Sequence, residues 1–360
     1  MTPQDLTAPV RALRLKNALA AVAVIALAYA FHQVSPTNRF FLGRLYGVPG
    51  FAFTGSSFLF SACSVYAALV SAFFLFTASP GSSKSLRFWQ IAGQFARAPR
   101  AMVRAGLSRE DRLAILATLL KALYGPLMAM ALMSATLGLV ANIAVLLTTD
   151  VSAWTFREWF DRHGFFMIFQ VIVMADVIPF TVGYLVELPR LRNQIRSVDP
   201  TLLGWAAALI CYAPFNVILT MFLGAPGSEF PQFADATVHF TAAFTLLGLM
   251  LVYSSASVAL GFKGSNLTHR GIVSRGPYRV VRHPAYACKN MAWWIGSIPI
   301  VSAAFGQSAL AGITALASVV GWTLLYVLRA VTEEDHLRSV DGDYAAYAAR
   351  VRYRFIPGIV

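Results

Sequence analysis

Long apolar runs separated by short polar segments set the rhythm of this 360-residue chain. A backbone that crosses about 30 Å of hydrocarbon must satisfy its own hydrogen bonds, and a helix of roughly 20 apolar residues does so. That rule predicts eight membrane spans, near residues 15–32, 56–77, 125–147, 164–186, 202–223, 237–261, 289–305 and 308–329. The expected architecture is an all-α polytopic transmembrane helical bundle. Leu113 to Leu147 leaves three forms open: one long helix, a surface helix followed by a span, or a hairpin bent near Gly125-Pro126. A surface helix before Gly125 would let Lys121 reach the headgroups. The leader carrying Arg11, Arg14 and Lys16, followed by the apolar run Asn17 to Phe31, also has the form of a signal peptide, with Ala28-Tyr29-Ala30 as a small-residue cleavage site. A retained first span is the expectation.

Composition agrees with the pattern. The chain is 58% hydrophobic and 12% charged, with a mean hydropathy of +0.63, against roughly 45–50% and 25% in soluble domains. The net charge of +13 does not imply nucleic acid, because its distribution has a simpler cause. Of the 29 Lys and Arg, 24 lie in the N-terminus, the segments 78–112, 187–200 and 262–289, and the tail after Leu328. The opposite loops hold only Arg39, Arg44, Arg157 and Arg162. This asymmetry predicts an even number of spans with both termini cytoplasmic and basic loops facing anionic lipid headgroups. The alanine-rich composition hints at a bacterial inner membrane. Segment 78–112, with Phe88, Trp89 and Phe95 among its arginines, reads either as an amphipathic segment on the inner leaflet or as a solvated basic loop. Cys63, Cys211 and Cys288 lie far apart in or beside apolar stretches and suggest neither a disulfide framework nor a thiolate metal site.

One polar stretch exceeds what anchoring requires. Thr268 to Trp294 contains Gly276-Pro277-Tyr278-Arg279-Val280-Val281-Arg282-His283-Pro284-Ala285-Tyr286. Gly-Pro and His-Pro break helices and fix a turn. Arg279 and Arg282 can bind a carboxylate or phosphate through paired donors. His283 exchanges a proton near neutral pH, and Tyr278 and Tyr286 offer flat faces to a ring or a cation. The set suits a nucleotide-like cofactor; a basic membrane-surface turn would have the same composition. The tail after the last span holds Glu333-Glu334-Asp335-His336-Leu337, Gly342-Asp343-Tyr344, Tyr347 and Arg354-Phe355-Ile356-Pro357. As one continuing helix it would put Glu333, Leu337, Val340, Tyr344 and Tyr347 on a face able to fold back onto the loop before span seven.

The order Arg-Gly-Pro-Tyr-Arg-x-x-Arg-His-Pro-x-Tyr, then Glu-Glu-x-x-Leu, Gly-x-x-Tyr-x-x-Tyr and Arg-Phe-Ile-Pro, resembles the isoprenylcysteine carboxyl methyltransferase and phospholipid methyltransferase family of integral membrane enzymes. The resemblance covers about the last 95 residues and divides the chain into an N-terminal transmembrane region, 1–260, of unrecognised type and a methyltransferase-like region, 261–360. It implies a cytoplasmic S-adenosylmethionine site and a lipophilic acceptor arriving from the bilayer. By position, Gly276, Pro277, Tyr278, Arg282, His283, Pro284 and Tyr286 would line the cofactor pocket with Glu333 and Glu334; Arg279 is the further candidate in the loop. Arg282, His283 and Glu334 are the candidates for catalysis, and His283 or Glu334 would take the proton of an amine or thiol acceptor. A carboxylate acceptor would need no base. Many relatives have glycine where this chain has Cys288, so that wall of the pocket is expected to differ.

Two further readings stay open. Membrane sterol reductases, which use NADPH, share an Arg-His-Pro-x-Tyr loop and a similar ending; a non-catalytic lipid-binding or transport protein is the third. Asp176, at the centre of the fourth span, is a candidate for a substrate cavity or for a hydrogen-bonded helix contact. Trp293 and Trp294 read first as interface anchors and second as cavity walls. Gln170, Asn142 and Asn216 are expected to bond between helices. His32, His163, His239 and His336 have no metal spacing, and Asp235 with His239 is isolated, so no metal is expected.

Overall fold

Among the described residues of the computed structural model, six helices are long and apolar enough to cross a membrane: Ala8–Val34, Gly55–Thr77, Arg109–Thr148, Phe156–Leu185, Ala236–Lys263 and Ala309–Val340. The structure describes residues 8–48, 50–77, 81–150, 152–212, 214–217, 220, 230 and 232–359. The protein is therefore an all-α polytopic membrane bundle, with fewer qualifying helices than the eight spans the apolar pattern predicts. The seventh predicted span is a helix, Pro284–Gln307, but its first turns carry Lys289 and Asn290. Of the fifth, helix is continuous over Leu202–Leu209, and much of its second half lies outside the described residues.

The chain forms two compact units: residues 1–131 with 195–200, and residues 132–194 with 201–360. The expected boundary at 260 is thus not where compactness divides the chain, because the helices before it pack with those after it. In the first unit, α1 (Ala8–Val34), α2 (Pro36–Gly43), the hairpin of β1 (Leu45–Val48) and β2 (Phe51–Thr54), and α3 (Gly55–Ala72, continued by a π turn to Thr77) precede two surface-type helices. These are α4 (Lys84–Arg97) and α5 (Pro99–Ala105). Buried Asn17 on α1 donates to the Gly81 carbonyl at 2.7 Å and accepts from the Ser83 N–H at 2.8 Å, fixing the start of α4. The Trp89 indole donates to the Ala20 carbonyl at 3.1 Å. The amphipathic face of 84–97 is therefore used at least partly against α1, which the solvated-loop reading did not anticipate.

The stretch with three open forms resolves as one helix, α6 (Arg109–Thr148), continuous through Pro126. Forty residues at 1.5 Å each would reach about 60 Å, twice the hydrocarbon thickness, so α6 extends well beyond one bilayer crossing. Buried His32 accepts from Asn38 at Nδ1 and donates from Nε2 to the Leu123 carbonyl at 3.2 Å, tying α1 to α6.

The second unit holds the C-terminal part of α6, then α7 (Phe156–Trp159), α8 (Phe165–Leu185), α9 (Leu202–Leu209), α10 (Ala236–Leu260), α11 (Pro284–Gln307), α12 (Ala309–Val340) and α13 (Asp343–Arg350). As expected, Asn142 and Gln170 bond between helices, at 3.3 Å, and His163 joins them through the Asn142 carbonyl oxygen at 2.8 Å. The Asn216 backbone N–H donates to the Tyr212 carbonyl at 3.0 Å. An apolar core of Phe160, Phe165, Ile172, Ala243, Leu246, Leu247, Met250 and Ala292 seats α8, α10 and α11 together. His239 pairs with Asp161 at 2.7 Å, not with Asp235, which instead caps α10 by accepting from the Val238 N–H.

Candidate functional site

Helix α11 starts at Pro284, whose ring presets the helical φ and whose missing N–H costs nothing in the first turn. His283 is the residue before it, with φ −125° and ψ 59°, and makes no side-chain cap. Its imidazole is left to other partners. Arg282 and His283 are held by backbone as well as side chain: their N–H groups donate to the carbonyls of Tyr353 and Arg354 at 2.9 and 2.8 Å. Upstream, Gly276 opens a 3-10 turn at φ +59°, a conformation glycine takes without penalty.

Glu334, fully buried on α12, gathers these segments. Arg282 Nε donates to its Oε1 at 2.8 Å, Arg338 Nη2 to its Oε2 at 2.8 Å and Arg354 Nε to Oε1 at 3.2 Å. His283 Nε2 lies 3.2 Å from the same Oε1. Arg282 extends the lock through Nη1, which donates to the carbonyls of Val351 and Arg352 at 2.7 and 2.6 Å. Neighbouring Glu333 faces the other way: Tyr286 donates its hydroxyl to Glu333 Oε1, and His283 Nδ1 stands 3.8 Å from Oε2. The His283 and Tyr286 rings are stacked, 5.5 Å apart at 14°, with Phe355 5.8 Å from His283.

The tail does not run as one helix. α12 ends at Val340, α13 begins at Asp343, and the chain turns between them. Tyr344, Tyr347 and Val351 then pack with Leu337 and Ile272, so the tail does fold back on the loop, but through a break. The Tyr347 hydroxyl donates to the Tyr278 carbonyl at 3.0 Å, and burial pushes that phenol up to about 12.

A second polar layer continues along α11 and α12. Tyr326 meets Tyr286 and Trp293 edge-on at 5.1 and 5.3 Å, and Trp293 meets Trp322 at 6.0 Å. Lys289 Nζ lies over Trp293, Tyr253 and Tyr326. Asp176 accepts from Tyr253 at 2.9 Å and from Ser257, both on α10. Asp176 is therefore a helix–helix contact that also abuts the aromatic layer through Tyr253. The two tryptophans separate: Trp293 is buried within that layer, whereas Trp294 is 39% exposed and donates to Thr323 at 3.0 Å.

Arg282, His283, Tyr286, Glu333 and Glu334 thus come together, with Tyr278 tied to them by Tyr347. Arg279 is exposed at the end of its turn, and Gly276 and Pro277 open that turn. Sequence reasoning passed over Arg354 and Arg338 as partners of Glu334, and over Tyr253, Tyr326, Arg329 and Asn266. The signal for Arg329 is a charged residue four positions before Glu333 inside an apolar helix. Cys288 is buried in α11. Among the described residues, no three His, Cys, Asp or Glu come together as a metal site.

Residues 189–351 match the model of a family described as a protein of unknown function, DUF1295. The matched range takes in the His-Pro loop, Tyr286, Glu333 and Glu334; Asp176 precedes it and Arg354 and Phe355 follow it. No curated protein and no solved structure matches the chain.

Proposed function

We propose that this protein is an integral membrane methyltransferase that uses S-adenosylmethionine and acts on a lipophilic acceptor entering from the bilayer, with the site on the cytoplasmic side. The observation that carries the reading is the meeting of two motifs distant in sequence, Arg282-His283 and Glu333-Glu334, around one buried carboxylate. The residues fit a cationic ligand. Glu333 is a carboxylate 30% exposed, beside the stacked rings of His283 and Tyr286, and carboxylates with aromatic faces favour a sulfonium. Bound there, the cofactor would supply an electrophilic methyl group.

The chain's own tasks are positioning and exclusion of water. Glu334, already accepting from three arginines and facing His283, is a poor proton acceptor and is assigned to positioning: it sets Arg282 and orients the imidazole. With Nε2 held against Glu334, His283 is assigned, through Nδ1, to receive the proton of an amine or thiol acceptor. Arg282, committed to Glu334 and to two tail carbonyls, closes the tail over the loop. Tyr286 aims Glu333. The basic loops that share the side of these motifs support the cytoplasmic placement.

Calorimetric titration of the purified protein with S-adenosylhomocysteine tests the reading, with NADPH as a parallel arm. Binding of S-adenosylhomocysteine that is lost in His283→Ala is expected. Binding of NADPH alone, or of neither, would sink it.

A further inference from the structure

Arg329 lies on α12 one turn before Glu333, and it is 3% exposed. A buried guanidinium is ordinarily paired with a carboxylate, since removing an ion from water is costly and only a well-placed counter-charge compensates. Among the described residues Arg329 has no such partner. Its Nη2 donates to the Asn266 side-chain oxygen at 2.7 Å, and its Nε is buried with no acceptor. The remaining contacts are aromatic faces: Tyr286 and Tyr326 at 5.0 Å and Tyr212 at 5.9 Å from the guanidinium carbon.

The surroundings hold this cation in place without neutralising it. Asn266 is itself fixed, its N–H donating to the Tyr184 hydroxyl at 2.6 Å and its amide to Tyr212 at 3.3 Å. The next residue, Leu267, is buried at φ 63°, a conformation uncommon for a side-chain-bearing residue. The nearest acidic residue along the helix, Glu333, is engaged by Tyr286, and Asp176 accepts from Tyr253 and Ser257. Lys289 Nζ also lies 5.9 Å from the Tyr326 ring, with Asp176 as its nearby counter-charge. A planar guanidinium whose Nε–H has no acceptor and whose Nη2 meets only a neutral amide, set among aromatic rings, matches the geometry of a carboxylate or phosphate.

We propose that Arg329 is an oxyanion-binding centre, receiving one carboxylate or phosphate group of a ligand that lies against Tyr286, Tyr326 and Trp293. The site stands on the unpaired cation and not on methyl transfer, so it survives a failed cofactor titration. The anion can be borne by a lipid or by a water-soluble molecule, and the same chemistry serves both.

The full-length protein in nonionic detergent is titrated with oleate, with dioleoyl phosphatidylglycerol and with inorganic phosphate, reading the unfolding temperature and, by native mass spectrometry, occupancy. At least one probe is expected to bind and stabilise. Arg329→Met is expected to weaken that binding roughly tenfold or more, the scale of lost charge-assisted bonds, while exposed Arg350→Gln leaves it unchanged. Preference for oleate or the phospholipid assigns the anion to a lipid, and preference for phosphate assigns it to a soluble ligand. Without any probe, Arg329→Met is expected to unfold at or above the wild-type temperature, because it removes an unpaired buried charge. Absence of binding by all three probes, wild-type binding in Arg329→Met, a lower unfolding temperature in its unliganded form, or failure of both Arg329→Met and Arg329→Lys to fold would overturn the proposal; the last two would mark the guanidinium as a structural staple.

Discussion

Arg282 and Glu334, separated by 52 residues, meet with Nε 2.8 Å from Oε1 at a point where the carboxylate has no exposure to solvent. Glu334 also takes a bond from Arg338 and one from Arg354, so one side chain joins the His-Pro loop, α12 and the C-terminal segment.

Glu334→Gln should therefore unsettle the whole C-terminal assembly. Removing one partner of a buried ion pair costs about 3–5 kcal/mol, and the lower end applies because Arg338 and Arg354 are partly exposed. Arg338→Gln, at a side chain 45% exposed, should cost less than about 1 kcal/mol. Thermal unfolding of both variants in detergent checks the contrast; equal effects would contradict the central role of Glu334.

Glu333 differs from Glu334 by one position and by its surroundings. Under the proposed function, Glu333→Gln should weaken S-adenosylmethionine by roughly tenfold while changing S-adenosylhomocysteine much less, since only the former carries the positive sulfur and the lost charge pair is partly solvated. Equal losses for both ligands would remove Glu333 from contact with the sulfonium.

Asp176 accepts from Tyr253 and Ser257. Asp176→Leu leaves both hydroxyls without their acceptor and should destabilise by about 2–3 kcal/mol. Asp176→Asn keeps an acceptor oxygen and should cost less than about 1 kcal/mol. Chemical denaturation read by tryptophan fluorescence separates the two, and a harmless leucine would show that the contact carries no stability.

The docked tail should loosen in alkali. Burial raises the Tyr347 phenol from its ordinary value near 10 to about 12. Between those values the folded protein holds a proton that the unfolded chain has released, so stability is fully present below pH 10 and declines as pH rises toward 12. Proteolysis of the C-terminal segment across this range should show the decline, and Tyr347→Phe, which cannot ionise, should flatten its steepest part.

The membrane character, the helical class and the two polar motifs could be read from the chain alone, for a physical reason: hydrocarbon imposes long apolar helices, and Gly-Pro and His-Pro fix turns wherever they occur. Asn142 pairing with Gln170 was also legible, since amides within apolar helices need partners. Local pattern could not say that 109–148 is a single helix, because proline within a helix is tolerated when neighbours restore the lost bond. Nor could it place the break after Val340, where the three- and four-residue spacing of Tyr344 and Tyr347 continues unchanged.

What only the tertiary structure decided is the division of labour among charges. Glu333 and Glu334 are equivalent in sequence, yet α12 turns one toward Tyr286 and the other into three guanidinium groups. Trp293 and Trp294 are likewise adjacent, and the helix's 100° step per residue sends one inward and one outward. Arg329 was one basic residue among many in a count of charge; its meaning depends on the absence of an acid beside it among the described residues, which is a property of packing in three dimensions and not of the order of residues along the chain.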